Sequence, residues 1–517
     1  MSATIDSGWL AFLVLPIIVT VVATIDSGWL ALVLPIIVTV VLLKLAISLL
    51  TTSHQHRYLA EFSPNRLNGS YVTQSATELA KRLKSGDCTS LQLVNEFISH
   101  IESVNPRLNA MVANRFEVAR EEARAADMIL RSSKRSELYQ RRPFHGVPCS
   151  VKECISVAGM PQTSGLIARK DFRASEDATV VARLRQAGFI VLGVTNTSEL
   201  CLWWESHNRL YGITRNAYNG DCIVGGSSGG EAALISACGA PCGVGSDIGG
   251  SIRMPAFFNG VYGHKPTAGT IPGTGQYPIA EGKGMRLLTT GPICRHAEDL
   301  WPLFELMRGP DGKDLEVEHR QYPRPTPAML PGMRVVSVVQ PNFPFFVSRV
   351  GSELREAQAA ALAFLSDAGA HTEDAFHLDG MRHMPKVWLN AMSLYRETGM
   401  KQLMGLHTNT RAWLEVLRWT LGSSNHTAAA LILAVTEDFP GLMPQRRLYY
   451  AEEVKEELLR EVEEAIGSNG GMLFPSMPRP APKHHHPLLS IFDFVYNAVF
   501  NVLELPSTQV CLLLPLA

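Results

Sequence analysis

The chain has 517 residues, and 47 Lys and Arg against 48 Asp and Glu leave a formal net charge of −1. Hydrophobic residues make up 46% of the chain and charged residues 18%, which excludes a disordered protein and leaves enough apolar surface for a large core. The neutral balance argues against a nucleic-acid-binding protein, because such a protein carries a basic face. The 9 cysteines are scattered and form no CxxC pair, so neither a disulfide framework nor a structural zinc site is expected.

An apolar repeat occupies the amino terminus. Residues 3–22 return almost unchanged as residues 23–41, with a phenylalanine missing from the second copy. Each copy gives an apolar helix of only ~22 Å, whereas the hydrocarbon core of a bilayer is ~30 Å thick. Trp29–Leu50 is the better span, because Lys44 can extend its charge to the interface. We therefore predict a membrane anchor in residues 1–50, as a single pass or a hairpin. Such a repeat is also typical of a recent duplication or a sequence-assembly error.

The charges beside the anchor bear on the side of the membrane. Basic residues follow the anchor, so the positive-inside rule places the rest of the chain on the cytosolic side, and we expect an intracellular membrane. Three sequons, which begin at Asn68, Asn196 and Asn425, would permit glycosylation on the lumenal side instead.

The remainder of the chain is predicted to be a linker, residues 51–69, followed by a single domain, residues 70–517. The linker is polar and punctuated by Pro and Gly, and the domain opens with a helical pattern from Ser75 to Asp127. The next predicted helices are Asp177–Gln186, Glu231–Ala237, Glu353–Leu365 and Glu452–Ile466, and the predicted strands are Phe189–Thr195, Cys242–Ser246, Met333–Val339 and Met472–Phe474. This alternation indicates an α/β fold with a mixed, mostly parallel central sheet covered by helices.

Two glycine-flanked serine loops form the most unusual stretch of the chain. They are Gly225–Gly230 (GGSSGG) and Gly245–Ser251 (GSDIGGS), and their glycines allow a tight loop and close backbone approach. A phosphate-binding loop is not favoured, because GxxxxGK[ST] is absent and no GxGxxG is completed. The alternative is a serine nucleophile whose neighbouring N–H groups converge on the oxyanion of an acyl-transfer intermediate.

A serine nucleophile needs a base, and Lys152 is the candidate. No GxSxG elbow is present, so the Ser-Asp-His arrangement of α/β-hydrolases is not favoured. Lys152 lies in a mostly apolar run (PCSVKECI), where burial disfavours the ammonium form and a neutral lysine could accept a proton. Taken alone, the same lysine also fits a structural ion pair, with Glu153 as a neighbour.

The motifs around Lys152, Ser227 and Ser251 together resemble the amidase signature family, in particular its membrane-anchored fatty-acid amide hydrolases. The matching segments are VPCSVKE (147–153), PQTSGL (161–166), TNTSELCLWWES (195–206), GGSSGGE (225–231), GSDIGGSIRMPA (245–256), GHKPT (263–267), TGPICRHAEDL (290–300) and PKHHHPL (482–488). The likeness thus extends over the whole predicted domain.

The resemblance implies a Ser–cis-Ser–Lys relay. Lys152 takes a proton from Ser227, which takes one from Ser251, and Ser251 attacks the amide carbonyl. Water then releases the acyl group from the enzyme. The implied oxyanion donors are the N–H groups of Ile248, Gly249, Gly250 and Ser251. Neither a metal nor a cofactor is implied.

Further positions receive expectations from the same resemblance. Cys201 is expected to line the acyl channel, although a buried structural thiol is an equal alternative. Ser228 is expected to be structural or a hydrogen-bond partner, and Asp247 and Arg253 are expected to support the nucleophile loop. A solvated loop is the preferred interpretation of His484–His486, ahead of a metal site.

The chain departs from the family at its end. LPSTQVCLLLPLA (505–517) stops before the strand and helix that complete the sheet in the family, so the domain is expected to be truncated with an exposed edge.

The leading functional prediction is a membrane-associated serine hydrolase of fatty-acid amides, either primary amides or N-acylethanolamines. The alternatives are an amidase for small soluble amides and an inactive, truncated paralogue that acts as a lipid-binding or scaffold protein. The expected partners are a lipid amide and a membrane, without nucleic acid, and a homodimer is compatible with the sequence.

Overall fold

The computed structural model describes residues 69–279, 284–374, 378–394, 399–405, 412–437 and 446–511. The predicted anchor, residues 1–50, and all but the last residue of the predicted linker lie outside this part of the chain. Among the helices of the described residues, none is both long enough and apolar enough to cross a membrane.

Helices and strands alternate along the described chain. The helices are α1 (Ala76–Ser85), α2 (Ser90–Leu108), α3 (Phe116–Ser132), α4 (Arg135–Arg141), α5 (Thr179–Gln186), α6 (Gly229–Ser236), α7 (Arg253–Asn259), α8 (Gly284–Leu287), α9 (Leu300–Met307), α10 (Ser352–Asp367), α11 (Met384–Leu394), α12 (Met400–Leu403), α13 (Ala412–Thr420), α14 (Ala428–Glu437), α15 (Arg446–Ile466) and α16 (Val495–Val502). The strands are β1 (Met111–Asn114), β2 (Pro148–Lys152), β3 (Ile190–Thr195), β4 (His207–Asn208), β5 (Gly212–Ile213), β6 (Cys242–Asp247), β7 (Tyr262–Lys265), β8 (Thr289–Cys294), β9 (Arg334–Ser337), β10 (His371–Glu373), β11 (Gly470–Leu473) and β12 (Ser507–Gln509).

Local capping explains how the first helices are divided. Ser75 accepts a hydrogen bond from the Glu78 N–H at the start of α1, and Gly86 ends this helix with φ at 92°. A capping box begins α2 at Thr89, and the left-handed residue Asn109 ends it. The helical pattern predicted from the sequence is therefore three helices, α1 to α3, with the strand β1 between the last two.

A seven-stranded sheet forms the centre of the molecule, in the order β1-β3-β2-β6-β8-β7-β12. Strands β3, β2 and β6 are parallel neighbours, and helices α5 and α6 provide the crossovers between them. The pairs β1–β3, β6–β8, β7–β8 and β7–β12 are antiparallel.

The sheet is therefore mixed, as predicted, but the prediction that it is mostly parallel is wrong for this sheet. That prediction extended to the whole domain the pattern of β2, β3 and β6, in which a helix lies between each of these strands and the next. Strands β7 and β8 follow β6 on its other side and run in alternating directions, which a strand–helix pattern does not indicate.

Helix α6 is buried at every position between the sheet and helices α2 and α7. Because it is buried on all sides, its sequence shows no helical stripe. A second, three-stranded parallel sheet, in the order β10-β9-β11, has its own apolar cluster, to which helices α11, α15 and α16 contribute. The first sheet, with α6 and α7, carries the predicted catalytic residues.

Candidate active site

Three chain segments meet at one end of the parallel strands. Strand β2 ends at Lys152, the loop before α6 carries Ser227, and strand β6 ends at Asp247, four positions before Ser251. Parallel strands that are neighbours end at the same edge, so the fold gathers these residues although they are far apart in sequence.

Lys152 lies among hydroxyl groups. Its side chain is 0% exposed, and its Nζ donates to Ser227 Oγ at 2.7 Å and to Ser246 Oγ at 3.0 Å. The structure thus brings together Lys152 and Ser227, two of the three residues predicted for the relay. The sequence analysis missed Ser246, although its place next to Asp247 at the end of a short strand was a usable signal.

Ser227 lies in a closely fitted loop. The Gly226–Ser227 peptide bond is cis, and a Cβ on Gly226 would come within 2.4 Å of the Trp203 carbonyl oxygen. Ser206 Oγ donates to the Gly225 carbonyl at 2.9 Å and accepts from the Gly229 N–H at 3.0 Å. The loop is therefore held on both sides of Ser227.

Ser251 lies two residues before the start of α7 and is 6% exposed. Its carbonyl accepts from the Ser228 N–H at 3.1 Å, which connects the two serine loops through their backbones. Ser228 Oγ donates to the Ser246 carbonyl at 3.2 Å. Ser228 therefore lies at the junction of the two loops, as a hydrogen-bond partner of both.

Asp247 and Arg253 form a buried ion pair below the Ser251 loop. The Arg253 Nη2 and Nε atoms donate to the two Asp247 carboxylate oxygens at 2.9 and 3.0 Å, and the two side chains are 1% and 0% exposed. Burial alone would raise the pKa of Asp247, but the adjacent guanidinium outweighs it and holds that pKa well below its usual range. Asp247 is therefore a fixed anion.

The same carboxylate organises the backbone of the loop. It accepts from the Gly250 N–H at 2.7 Å and from the Ile252 N–H at 3.0 Å. Of the four N–H groups predicted to hold an oxyanion, the one at Gly250 is therefore already donated to Asp247. Among the described residues, the N–H groups of Ile248, Gly249 and Ser251 donate no backbone hydrogen bond outside the helices and strands.

Helix α16 completes this support from far along the chain. Arg253 donates to Asn501 Oδ1 at 2.6 Å and to the Asn497 carbonyl at 2.9 Å. Asn501 Nδ2 donates in turn to the Asp247 carboxylate at 3.0 Å. The asparagines are spaced four apart on one face of the helix, a signal that was present in the sequence but could not be assigned to a site.

Trp388 of helix α11 contacts the oxyanion loop, defined as residues 248–251, whose N–H groups are predicted to hold the oxyanion. Its indole N–H donates to the Ile248 carbonyl at 3.2 Å, and a Cβ on Gly249 would lie 3.4 Å from the indole ring. Because N–H and C=O point in opposite directions across a trans peptide, this bond directs the Gly249 N–H away from the tryptophan. The sequence analysis did not identify Trp388.

Cys201 is half-buried at the end of a 3-10 turn, Glu199–Cys201. Its Sγ lies 3.3 Å from Thr197 Oγ1, and the neighbouring Cys154 thiol lowers its pKa. Cys154 Sγ lies 3.8 Å from Ser246 Oγ, one of the Lys152 acceptors. Cys201 therefore lies beside Cys154, which in turn contacts Ser246, a hydrogen-bond partner of Lys152.

Two further expectations are corrected by burial. His484 is 4% exposed, with Nδ1 2.9 Å from Glu205 and Nε2 3.1 Å from the Gly220 carbonyl, so it does not belong to a solvated loop. Asn196 is 0% exposed and its Nδ2 donates to Thr214 at 3.0 Å, so this sequon is not open to glycosylation in the fold. Asn425 is exposed, and Asn68 lies outside the described residues.

A buried lysine bound to a serine hydroxyl, beside a second serine in a glycine-rich loop, provides a base, a proton relay and a nucleophile without further groups. Among the described residues, no group of three or more His, Cys, Asp and Glu side chains is arranged to hold a metal ion. The arrangement is compatible with acyl transfer by a serine and a lysine within an α/β fold.

The comparisons with known proteins identify the class. A family model described as Amidase matches residues 92–513. Fatty-acid amide hydrolase 2-A of Danio rerio is 41% identical over 445 residues, which is 84% of this chain and 81% of that protein. Fatty-acid amide hydrolase 2 of Homo sapiens is 39% identical over 466 residues, 87% of this chain and 85% of that protein.

Solved structures share the fold. A fatty acid amide hydrolase superposes with a TM-score of 0.66 at 19% identity, covering 88% of this chain and 76% of that chain. A 6-aminohexanoate cyclic dimer hydrolase superposes with a TM-score of 0.65 at 24% identity, over 85% of this chain and 90% of that chain. The protein is thus an amide hydrolase by class. More particularly, it belongs to the amidase signature family, with similarity to the fatty-acid amide hydrolases of type 2.

Proposed function

We propose that this protein hydrolyses fatty-acid amides, either primary amides or N-acylethanolamines, to a fatty acid and an amine, with Ser251 as the nucleophile. The observation that carries the proposal is the buried Lys152 Nζ, 2.7 Å from Ser227 Oγ, beside the loop of Ser251. The similarity to fatty-acid amide hydrolase 2 over most of both chains supports the substrate class.

The proposed reaction begins with proton transfer. Neutral Lys152 accepts the proton of Ser227 Oγ, which takes the proton of Ser251 Oγ as that oxygen attacks the amide carbonyl carbon. The C–O bond forms, and the carbonyl electron pair moves to the oxygen. The N–H groups of Ile248, Gly249 and Ser251 stabilise this oxyanion, with Gly250 shared with Asp247.

Collapse of the intermediate breaks the C–N bond. An amide anion is a poor leaving group, so the relay returns its proton to the departing nitrogen. Water then attacks the acyl-enzyme with the same lysine as base, and the fatty acid leaves. In this scheme Cys201 lines the acyl channel.

The test is covalent labelling of the full-length protein in membranes with a fluorophosphonate probe, followed by peptide mass spectrometry. We expect an adduct on Ser251 that is lost in Ser251→Ala and in Lys152→Ala, and strongly reduced in Ser227→Ala. The exposed Ser423→Ala is the matched control and should label like the wild type. Equal labelling of Ser251→Ala and the wild type would remove Ser251 from its role, and a folded wild type without an adduct would favour an inactive lipid-binding paralogue.

Substrate length separates the proposed activity from an amidase for small soluble amides. We expect the rate of hydrolysis to rise from short to long acyl chains, because each buried methylene contributes ~0.8 kcal/mol. A higher rate on short amides would contradict the lipid substrate.

We also propose that residues 1–50 attach the protein to an intracellular membrane, with the catalytic domain on the cytosolic side. The apolar repeat supports this proposal. Retention of the full chain in membranes after alkaline carbonate extraction is expected, as is resistance to an endoglycosidase. Release by carbonate would contradict attachment, and endoglycosidase sensitivity would contradict the cytosolic side.

A further inference from the structure

Glu231 is a buried carboxyl group that the proposed relay does not use. It lies in the first turn of α6, the helix that follows Ser227, and its side chain is 0% exposed. A carboxylate taken out of water destabilises a fold unless donors or a cation compensate for it. The groups around Glu231 therefore determine whether its carboxyl group can carry a charge.

Two of the parallel strands donate hydrogen bonds to Glu231. Ser150 of β2 donates to Oε1 at 2.5 Å, and Thr195 of β3 donates to Oε2. The Val244 backbone of β6 lies beside the same carboxyl group and favours its charged form. These groups stabilise the ionised carboxylate, which burial disfavours.

Strand β6 leaves room for the carboxylate through a glycine. A Cβ on Gly243 would lie 1.6 Å from Glu231 Oε1 and 2.8 Å from the Ser150 carbonyl oxygen. A side chain at position 243 and the carboxyl group at position 231 exclude each other. The cradle is therefore built for a carboxyl group by four separate elements.

Lys152 shares this neighbourhood. Ser150 and Lys152 are two apart on β2, so their side chains lie on the same face of the sheet. On that face Ser150 contacts Glu231, and Lys152 contacts Ser227, the second residue before α6. The charges of Lys152 and Glu231 act on each other accordingly.

The other titratable groups near Glu231 are the thiols of Cys149 and Cys242, which precede Ser150 and Gly243 and so lie on the opposite face of the sheet. Burial raises the pKa of Cys149 to about 12 and that of Cys242 well above its usual value, so both stay neutral. Burial likewise raises the pKa of Glu231 to about 7, although its hydrogen-bonding neighbours and Lys152 act in the opposite direction and lower it. Among the groups that act on Glu231, Lys152 is therefore the one that can become a cation.

We propose that Glu231 is a positioning residue of the proton relay, which supplies the counter-charge for the ammonium that Lys152 becomes when it accepts the serine proton. The inference rests on the proposed function. As Ser251 attacks, positive charge forms on Lys152 Nζ and negative charge forms on the acyl oxygen. Glu231 stabilises the positive charge on Lys152, and the N–H groups of the Ser251 loop stabilise the negative charge on the acyl oxygen.

The test is the pH profile of kcat/KM for the full-length protein with a long-chain primary amide, together with the pH profile of the fluorophosphonate labelling rate. Glu231→Gln keeps the shape of the side chain and removes its charge. Without the counter-charge, protonation of the relay needs a lower pH, so the acidic limb of both profiles should move down by about 1 pH unit or more. On the plateau, kcat/KM should fall on the order of ten-fold. Glu231→Asp keeps the charge and should keep the limb near its wild-type position.

A purely structural role predicts a different result. Glu231→Gln would then lose activity equally at every pH, and the coincidence of its acidic limb with that of the wild type would overturn the inference. If Glu231→Gln fails to fold, the double variant Ser150→Ala, Thr195→Val carries the test, because it keeps the carboxyl group and removes two donors. Its limb should move in the same direction by a smaller amount, and an unmoved limb would overturn the inference. A folded wild type that neither hydrolyses the amide nor reacts with the probe would refute the proposed function, and this inference with it.

Discussion

The two halves of the candidate active site are both buried but are stabilised in opposite ways. The relay side, defined as Lys152, Ser227 and Ser246, places one lysine among neutral hydroxyls at 2.7 and 3.0 Å. The clamp side is defined as Asp247, Arg253 and Asn501. It pairs a carboxylate with a guanidinium, and the side-chain amide of Asn501 forms hydrogen bonds with both.

The difference follows from what each half does in the proposed reaction. On the relay side a proton must move, so the lysine needs partners that can donate and accept in turn, and hydroxyls do both. On the clamp side charge must stay in place, because the Asp247 carboxylate fixes the loop that carries Ser251. The relay side should therefore respond to mutation in rate, and the clamp side in stability.

The largest effect is expected from Arg253→Leu on the clamp side. It leaves Asp247 buried without its cation, which should lower the free energy of unfolding by ~3–5 kcal/mol. Urea denaturation checks this value. The control is Arg320→Leu, which breaks a partly exposed pair with Glu318 and should cost less than ~1 kcal/mol. Similar small losses in both variants would show that the clamp does not hold the loop.

Gly243→Ala is expected to damage the relay side by crowding. The added Cβ would lie 1.6 Å from Glu231 Oε1, so β6 or α6 must shift, at ~1–3 kcal/mol. Thermal unfolding and fluorophosphonate labelling should both decline. Gly273→Ala is the matched control, because its Cβ would meet neighbours at an ordinary 3.7 Å. Wild-type stability and labelling in Gly243→Ala would show that the cradle can relax.

Ser246→Ala should separate rate from stability. It removes one acceptor of Lys152 Nζ, and loss of ~1.4 kcal/mol of transition-state stabilisation would lower kcat/KM about ten-fold. The control is Ser236→Ala, a buried serine at the last position of α6 that donates to the Asn259 carbonyl at 2.7 Å. It should lose comparable stability and keep its rate. Equal rates in the two variants would exclude Ser246 from the relay side.

The smallest effect is expected from Trp388→Phe, which keeps an aromatic ring over the oxyanion loop but loses the hydrogen bond to the Ile248 carbonyl. At ~0.5–1.5 kcal/mol for one bond, kcat should fall by a few-fold without a change in the melting temperature. Trp301→Phe on α9, where the ring packs on Phe304, should leave kcat unchanged. An unchanged kcat in Trp388→Phe would limit the tryptophan to packing.

Local chemistry decided how much of this could be predicted from the sequence. The glycine-rich loops and the lysine in an apolar run indicated an active-site serine and its base, and the family resemblance assigned these roles to Lys152, Ser227 and Ser251, where they stay predictions. Strand β3 was predicted as Phe189–Thr195 and is observed as Ile190–Thr195, because a continuous apolar run between glycines is typical of a buried strand. Glu231 was visible as an acidic residue in the apolar segment EAALISA, but its partners come from three strands.

The rest required tertiary structure. Nothing local to Arg253 indicates that Asn497 and Asn501 satisfy its guanidinium, since they lie more than two hundred positions later. The strand–helix alternation before β7 and β8 does not indicate their antiparallel direction and was extended to them wrongly. His484 was predicted to be solvated from its polar, proline-flanked surroundings, whereas Glu205 provides a buried partner for it.

The contact between Arg253 and Asn501 also sets an order of events during synthesis. The two residues are 248 positions apart, and at ~5–20 residues per second their translation is separated by about 12 to 50 s. During that interval the segment with Ser251 has already left the ribosome, whereas Asn501, the α16 partner of the Arg253 guanidinium, does not yet exist. A nascent chain therefore carries Ser251 for tens of seconds before this contact can lock its loop, and the candidate site is complete only once α16 has been made.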